Sequence, residues 1–145
     1  MPECSTDQQY SSLLQVEFPD DTISNVKVGA SIAINGTCLT VTELSERTVS
    51  FDIIGETLRA TNLGTLRQGS AVNYERSARM GDEIGGHNVS GHIHTTATIA
   101  SIQESSENKR LQFSLKDLQW MKYILPKGYI AVDGCSLTIG EVRCP

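Results

Sequence analysis

Two stretches carry the side chains best suited to act on a ligand, and they are copies of each other. The first is Ser31-Ile-Ala-Ile-Asn-Gly-Thr-Cys-Leu-Thr-Val-Thr-Glu43; the second is Tyr129-Ile-Ala-Val-Asp-Gly-Cys-Ser-Leu-Thr-Ile-Gly-Glu141. At an offset of 98 residues, Ile32, Ala33, Gly36, Leu39, Thr40 and Glu43 recur unchanged. Cys38 and Ser136 fall at the same repeat position, and Thr40 matches Thr138. A thiol or hydroxyl at one position and a hydroxyl two residues on project from the same side of a strand. Read singly, either copy is ordinary: Thr and Ser suit strands, and Cys packs as a small hydrophobe. Read together, two polar faces beside matching glycine turns are either a shared strand composition or two binding faces, and if both bind, they bind similar things. Such a pair suits a reaction between two copies of one substrate.

A second cluster is Gly85-Gly86-His87-Asn88-Val89-Ser90-Gly91-His92-Ile93-His94, which holds all three histidines of the chain. Alternation places His92 and His94 on one face of a strand, so a metal site has to be weighed. Gly86, His92 and His94 fit the opening of a cupin-type metal motif, but its acid is absent, since Thr98 and Ile99 stand where it belongs. Four cysteines, Cys4, Cys38, Cys135 and Cys144, form no C-x-x-C pair, and in a reducing compartment they are free thiols. No metal is therefore expected. Without a metal, a strand histidine beside glycines is either a proton-transfer group or an exposed strand residue. The third cluster, Ser50 to Arg59, is a strand that ends in Gly55 ahead of a helical turn. Asp52, Glu56 and Thr57 then lie near exposed backbone N–H groups, where they either meet a polar ligand edge or serve as helix-start charges.

These residues need strands to hold them. The repeated stretches each read as a β-hairpin, Lys27–Asn35 with Thr37–Glu43 in the first, with Asn-Gly or Asp-Gly at the tip, residues that accept a tight turn's positive φ. On the first hairpin, alternation puts Cys38, Thr40 and Thr42 on one face and Leu39 and Val41 on the other. Further strands are expected at 13–18, 48–54, 70–75, 91–103 and 110–115. Short helical turns are expected at 56–62 and 117–124, and a connection at 76–90. Residues 1–12 are polar, aperiodic and expected to be poorly ordered. Short strands with turns every 8–12 residues indicate an all-β barrel or sandwich. A repeat of about 98 residues fits the 145-residue chain about one and a half times. The expected units are 1–87 and 88–145, with the second shorter than the first.

Composition excludes several classes. The formal net charge is −5 and no Lys/Arg cluster occurs, which argues against a nucleic-acid partner. No apolar run approaches the ~18 residues of a membrane span, and the N-terminus lacks the basic start and apolar core of a signal peptide. A cytoplasmic protein is the default expectation.

The motifs taken in order resemble the riboflavin synthases, the lumazine-binding repeat family. Those that carry the resemblance are Asn35-Gly-x-Cys-Leu-Thr40, Ser50-Phe-Asp52, Glu56-Thr-Leu-Arg59, Thr61-Asn-Leu-Gly64, Asp82-Glu-Ile-Gly-Gly-His87, Ser90-Gly-His-Ile93, Met121-Lys-Tyr-Ile124 and Asp133-Gly-x-Ser-Leu-Thr138. The match spans about residues 13 to 142. It implies two Greek-key β-barrels per chain, the first nearly complete and the second truncated here, and a homo-oligomer, usually a trimer. It implies a transferase that takes two molecules of 6,7-dimethyl-8-ribityllumazine to riboflavin and 5-amino-6-(ribitylamino)pyrimidinedione without cofactor or metal. It further implies a site where the first barrel of one subunit meets the second barrel of a neighbour.

By position, the resemblance implies that Cys38, Leu39 and Thr40 line the first site. Asp52, Ile53, Ile54, Gly55, Glu56 and Thr57 hold the ring edge and ribityl hydroxyls, joined by Gly91, His92 and Ile93. Lys127, Ser136, Leu137 and Thr138 face the second lumazine. His92 is the candidate base, Ser136, Thr138 or water the nucleophile, and Cys38 an accessory polar group. Two departures accompany the resemblance. The family opens with a Met-Phe-Thr-Gly strand absent from Met1-Pro-Glu-Cys, and it continues past Pro145. From these, weak binding of lumazine or riboflavin, and slow turnover or none, are expected of the chain. Residues 91–99 could take the place of the missing first strand, giving a hybrid barrel over 13–103. The alternatives are a non-catalytic lumazine or flavin carrier and an inactive fragment.

Overall fold

A computed structural model describes residues 11–143. The strands are β1 (Ser11–Glu17), β2 (Ser31–Ile34), β3 (Thr37–Leu44), β4 (Thr48–Ile54), β5 (Tyr74–Arg76), β6 (Ala97–Glu104), β7 (Lys109–Leu115), β8 (Tyr129–Val132) and β9 (Cys135–Thr138), with one short α-helix, α1 (Gly55–Ala60). Short 3₁₀ helices cover Leu63–Thr65 and Leu118–Tyr123. The expectation that the first dozen residues are poorly ordered falls almost wholly outside the described residues.

Strands β1 to β5 form one antiparallel sheet in the order β1-β4-β3-β2-β5. Three hairpin-linked strands, β2, β3 and β4, are flanked by a first strand that reaches β4 over a long connection. That is a Greek key. The sheet curls until its ends approach: Phe18, just after β1, meets the ring of Tyr74 in β5 edge-on, 4.8 Å between centroids. Its inner face is apolar. Val16, Phe18, Ile32, Ile34, Leu39, Val41, Val49, Phe51, Ile53 and Leu63 are buried against one another. The alternation of β3 follows expectation, with Leu39 and Val41 inward and Cys38, Thr40 and Thr42 on the other face. Burying each large apolar side chain is worth about 1.5–3 kcal/mol, and the inward residues of all four long strands of this sheet contribute.

Strands β6 and β7 pair with each other, as do β8 and β9. These are the opening strands of the second barrel, and their large apolar residues Ile99, Ile102, Leu111, Tyr129 and Leu137 are exposed. Glu141 ties β7 to the segment after β9 by accepting from Arg143 at 2.9 Å and pairing with Arg110 at 3.0 Å.

Three expectations are corrected. The strand expected over 91–103 begins only at Ala97, because Gly91 takes a left-handed turn and its carbonyl is claimed by the Cys38 N–H. His92 and His94 therefore do not share a strand face. The strand expected over 70–75 is replaced by Tyr74–Arg76, the residues that pair with the edge of β2 opposite β3. No hybrid barrel forms over 13–103, since β6 spends its pairing on β7. The short helical turn expected at 117–124 forms as a 3₁₀ helix over Leu118–Tyr123, with the Asp117 carboxylate accepting from the Gln119 N–H at 3.1 Å at its start.

Candidate functional site

The two repeated hairpins meet at their tips. Asn35 and Gly36, like Asp133 and Gly134, all hold positive φ (46°, 76°, 47° and 86°), the pattern of a two-residue hairpin turn. Each turn is also the other's neighbour. A side chain on Gly36 would overlap the backbone of Asp133 and Gly134, and one on Gly134 would come within 3.0 Å of the Gly36 Cα. Glycine is required there for space as well as for φ. Polar groups fix the tips: the Asn73 N–H donates to Asn35 Oδ1 at 2.9 Å, and Asn62 Nδ2 donates to Asp133 Oδ1 at 3.1 Å.

The segment from Gly86 to Gly91 then links the two polar faces. At one end Gly91, which is buried, accepts from the Cys38 N–H at 2.9 Å and leaves no room for a side chain against Cys38. At the other, Gly86 lies directly on the Ser136 side chain. His87 Nδ1 shares a hydrogen with Ser136 Oγ across 2.5 Å, and the His87 ring stacks on Tyr129 at 4.4 Å between centroids. Equivalent repeat positions, Cys38 and Ser136, are thus touched by two ends of one six-residue segment.

The other candidates fall into groups. Thr40 and Asp52 are exposed on the outer face of β3 and β4, each one residue from the paired Val41 and Phe51. Ile54, Glu56 and Thr57 continue that edge, half-buried or exposed. Leu39 and Ile53 point the opposite way, into the core, so only their backbone faces the Cys38 side. Gly55 is buried at the start of α1. His92 and Ile93 are exposed, and the His92 imidazole has no bonded partner among the described residues. His94 instead meets Trp120 edge-on at 5.3 Å. In the second repeat Ser136 is half-buried, Leu137 and Thr138 are exposed, and Lys127 occupies a left-handed turn whose N–H donates to the Ile139 carbonyl at 2.8 Å.

Three residues given no role from sequence belong to this neighbourhood: His87, Tyr129 and Asn62. His87 sits in the histidine cluster and in the quoted Asp82–His87 motif, but nothing in the spacing shows that its chain segment turns back onto Ser136. Among the described residues, no three His, Cys, Asp or Glu side chains converge as a metal set would, and no helix is long and apolar enough to cross a membrane. A surface cleft lined by Asn25, Ser31, Arg76 and Arg79 includes none of Cys38, His87 or Ser136. The candidate site is an open face that carries the Thr40 and Ser136 hydroxyls, the Cys38 thiol and the His87 imidazole.

Comparison with known proteins identifies the family. A family model described as the lumazine binding domain matches residues 3–77 and again 90–144. Riboflavin synthase of Escherichia coli is 56% identical over 127 residues, which cover 88% of this chain and 60% of that protein. Riboflavin synthase of Schizosaccharomyces pombe is 42% identical over 129 residues, covering 89% of this chain and 62% of that one. The chain thus spans about 60% of the length of these relatives. Among solved structures, LumP complexed with riboflavin superposes with a TM-score of 0.79 at 27% identity, covering 92% of this chain and 71% of LumP. LumP complexed with 6,7-dimethyl-8-(1'-D-ribityl) lumazine gives 0.76 at 26% identity, covering 92% and 70%.

Proposed function

The chain belongs to the lumazine-binding domain family, and from that membership we propose that it works in riboflavin formation as a riboflavin synthase. Two molecules of 6,7-dimethyl-8-ribityllumazine are the substrates. One gives a four-carbon unit to the other, and riboflavin and 5-amino-6-(ribitylamino)pyrimidinedione leave. The repeats, residues 1–87 and 88–145, each supply a half-site. Cys38, Thr40, Asp52 and Glu56 to Thr57 belong to the first, with Gly91 to Ile93. Lys127, Ser136 and Thr138 belong to the second. The observation that carries this reading is the pair of equivalent polar faces, Cys38 with Thr40 and Ser136 with Thr138, on two hairpins whose tips abut. A reaction between two copies of one substrate needs two like faces. The homologous enzymes from Escherichia coli and Schizosaccharomyces pombe support the choice of reaction.

Homo-oligomer assembly, as a trimer, would let a half-site of one subunit meet the other type from a neighbour, and the cytoplasm is the compartment proposed. In the reaction an acidic methyl proton leaves one ring and a nucleophile adds to the other. The exposed, unbonded His92 imidazole is the base in this scheme, and a general base contributes about 10²–10⁴-fold. His92→Gln should therefore slow riboflavin formation by that order, and His94→Gln, whose ring is occupied by Trp120, by far less.

The reading is tested by fluorescence titration with 6,7-dimethyl-8-ribityllumazine and by following riboflavin absorbance. Weak but saturable binding with riboflavin appearing slowly is the expected result. Binding with no riboflavin formed would leave a lumazine or flavin carrier, and no binding at millimolar ligand would remove both.

A further inference from the structure

We infer that His87 is the positioning residue for Ser136: it sets the direction of the Ser136 hydroxyl toward the ring edge of a bound lumazine. This rests on the reading that the chain binds a lumazine. A serine hydroxyl on an exposed strand rotates freely among its staggered positions and offers either its proton or its lone pairs. Here it is not free. His87 Nδ1 holds Oγ at 2.5 Å. The imidazole itself is held by its stack on Tyr129, which stands on the strand paired with that of Ser136. Gly86 packs on the Ser136 side chain from the preceding position, and Gly91 anchors the far end of the segment on Cys38. The tautomer of His87 then decides what Ser136 presents. When Nδ1 accepts the serine proton, the oxygen lone pairs face outward; when Nδ1 carries the proton, the O–H faces outward. Of the three histidines only His87 is so placed, because His92 is exposed and unbonded and His94 turns to Trp120.

Two experiments on the full chain test this. The first needs no ligand. In ¹⁵N spectra of the imidazoles, Ser136→Ala should move the His87 Nδ1 resonance and leave those of His92 and His94 in place. An unmoved His87 signal overturns the inference. The second titrates 6,7-dimethyl-8-ribityllumazine into a set of variants. His87→Phe keeps a ring over Tyr129 but has no nitrogen, and should weaken binding about 2- to 10-fold, the worth of one hydrogen bond. His87→Asn returns a polar atom near the Nδ1 position and should restore most of the loss. In the Ser136→Ala background, His87→Phe should have no further effect, since the partner is already gone. Additive losses, or His87→Asn as weak as His87→Phe, make the role of His87 merely structural and overturn the inference. A moved ¹⁵N signal with no lumazine bound by the unaltered chain would leave the His87–Ser136 contact standing and sink the functional reading with its ligand.

Discussion

Leu39 and Leu137 hold the same place in two copies of one hairpin, yet Leu39 is 6% exposed and Leu137 is 36% exposed. The same divergence runs through the repeat. Ile32, Ile34 and Val41 are buried, whereas their counterparts Ile130, Val132 and Ile139 are only half-buried. Both hairpins have the same turn, the same register and nearly the same residues. What differs is company. The first hairpin lies between β4 and β5 and closes over a core, while β8 and β9 pair only with each other among the described residues. A hairpin sequence thus specifies its turn and which side chains share a face. Whether the apolar face is dry depends on strands distant in sequence. The polar faces are less sensitive to this, and Cys38 and Ser136 both stay half-buried.

The sharpest way to break that contrast is a matched pair of truncations. Leu39→Ala removes a buried side chain from the first barrel and should lower stability by about 2–5 kcal/mol. Leu137→Ala, its repeat counterpart, should change it by about 1 kcal/mol or less, as expected of a partly exposed site. Urea unfolding of both variants measures the difference. Equal losses would mean that the second hairpin is buried in solution to the same degree as the first.

A smaller effect is expected where the repeats touch. Gly36→Ala places a methyl group against the Gly134 backbone at a positive φ, and should destabilise by about 1–3 kcal/mol. Because the clash lies between repeats, it should also free the tips, so that Asn62→Ala adds little in the Gly36→Ala background. Full additivity in thermal melts would show that the tips do not rest on each other.

The smallest effect concerns the ionic tie of the second repeat. The hydrogen bond from Arg143, followed by that from Arg110, holds the Glu141 carboxyl below its ordinary value of 4.5. A carboxylate whose folded value is depressed stabilises the fold above its unfolded value and loses that contribution as pH falls through the folded one. Glu141 is fully exposed, so the gain is slight. Glu141→Gln should therefore lie slightly below the unaltered chain in urea midpoint near neutrality and coincide with it in acid below the depressed value. A gap that persists in acid would assign the effect to packing.

Much of this protein was legible in its residues. Asn35-Gly36 and Asp133-Gly134 dictate tight turns because few other residues accept positive φ. The alternation of Thr37 to Val41 dictates which side chains are inward, because a strand's period is two. The offset of 98 residues dictates that the two polar faces are alike. Strand pairing over long separations was not legible. Nothing local in Ser70 to Glu75 says that only Tyr74–Arg76 finds β2, or that the strand after Gly91 must wait until Ala97. Nor could spacing distinguish His87 from His92 and His94, which share one short cluster. Which histidine meets a serine 49 residues away is decided when the segment from Gly86 to Gly91 is pinned between Ser136 and Cys38. Contacts of that kind depend on where the folded backbone leaves room, and only the tertiary structure sets that room.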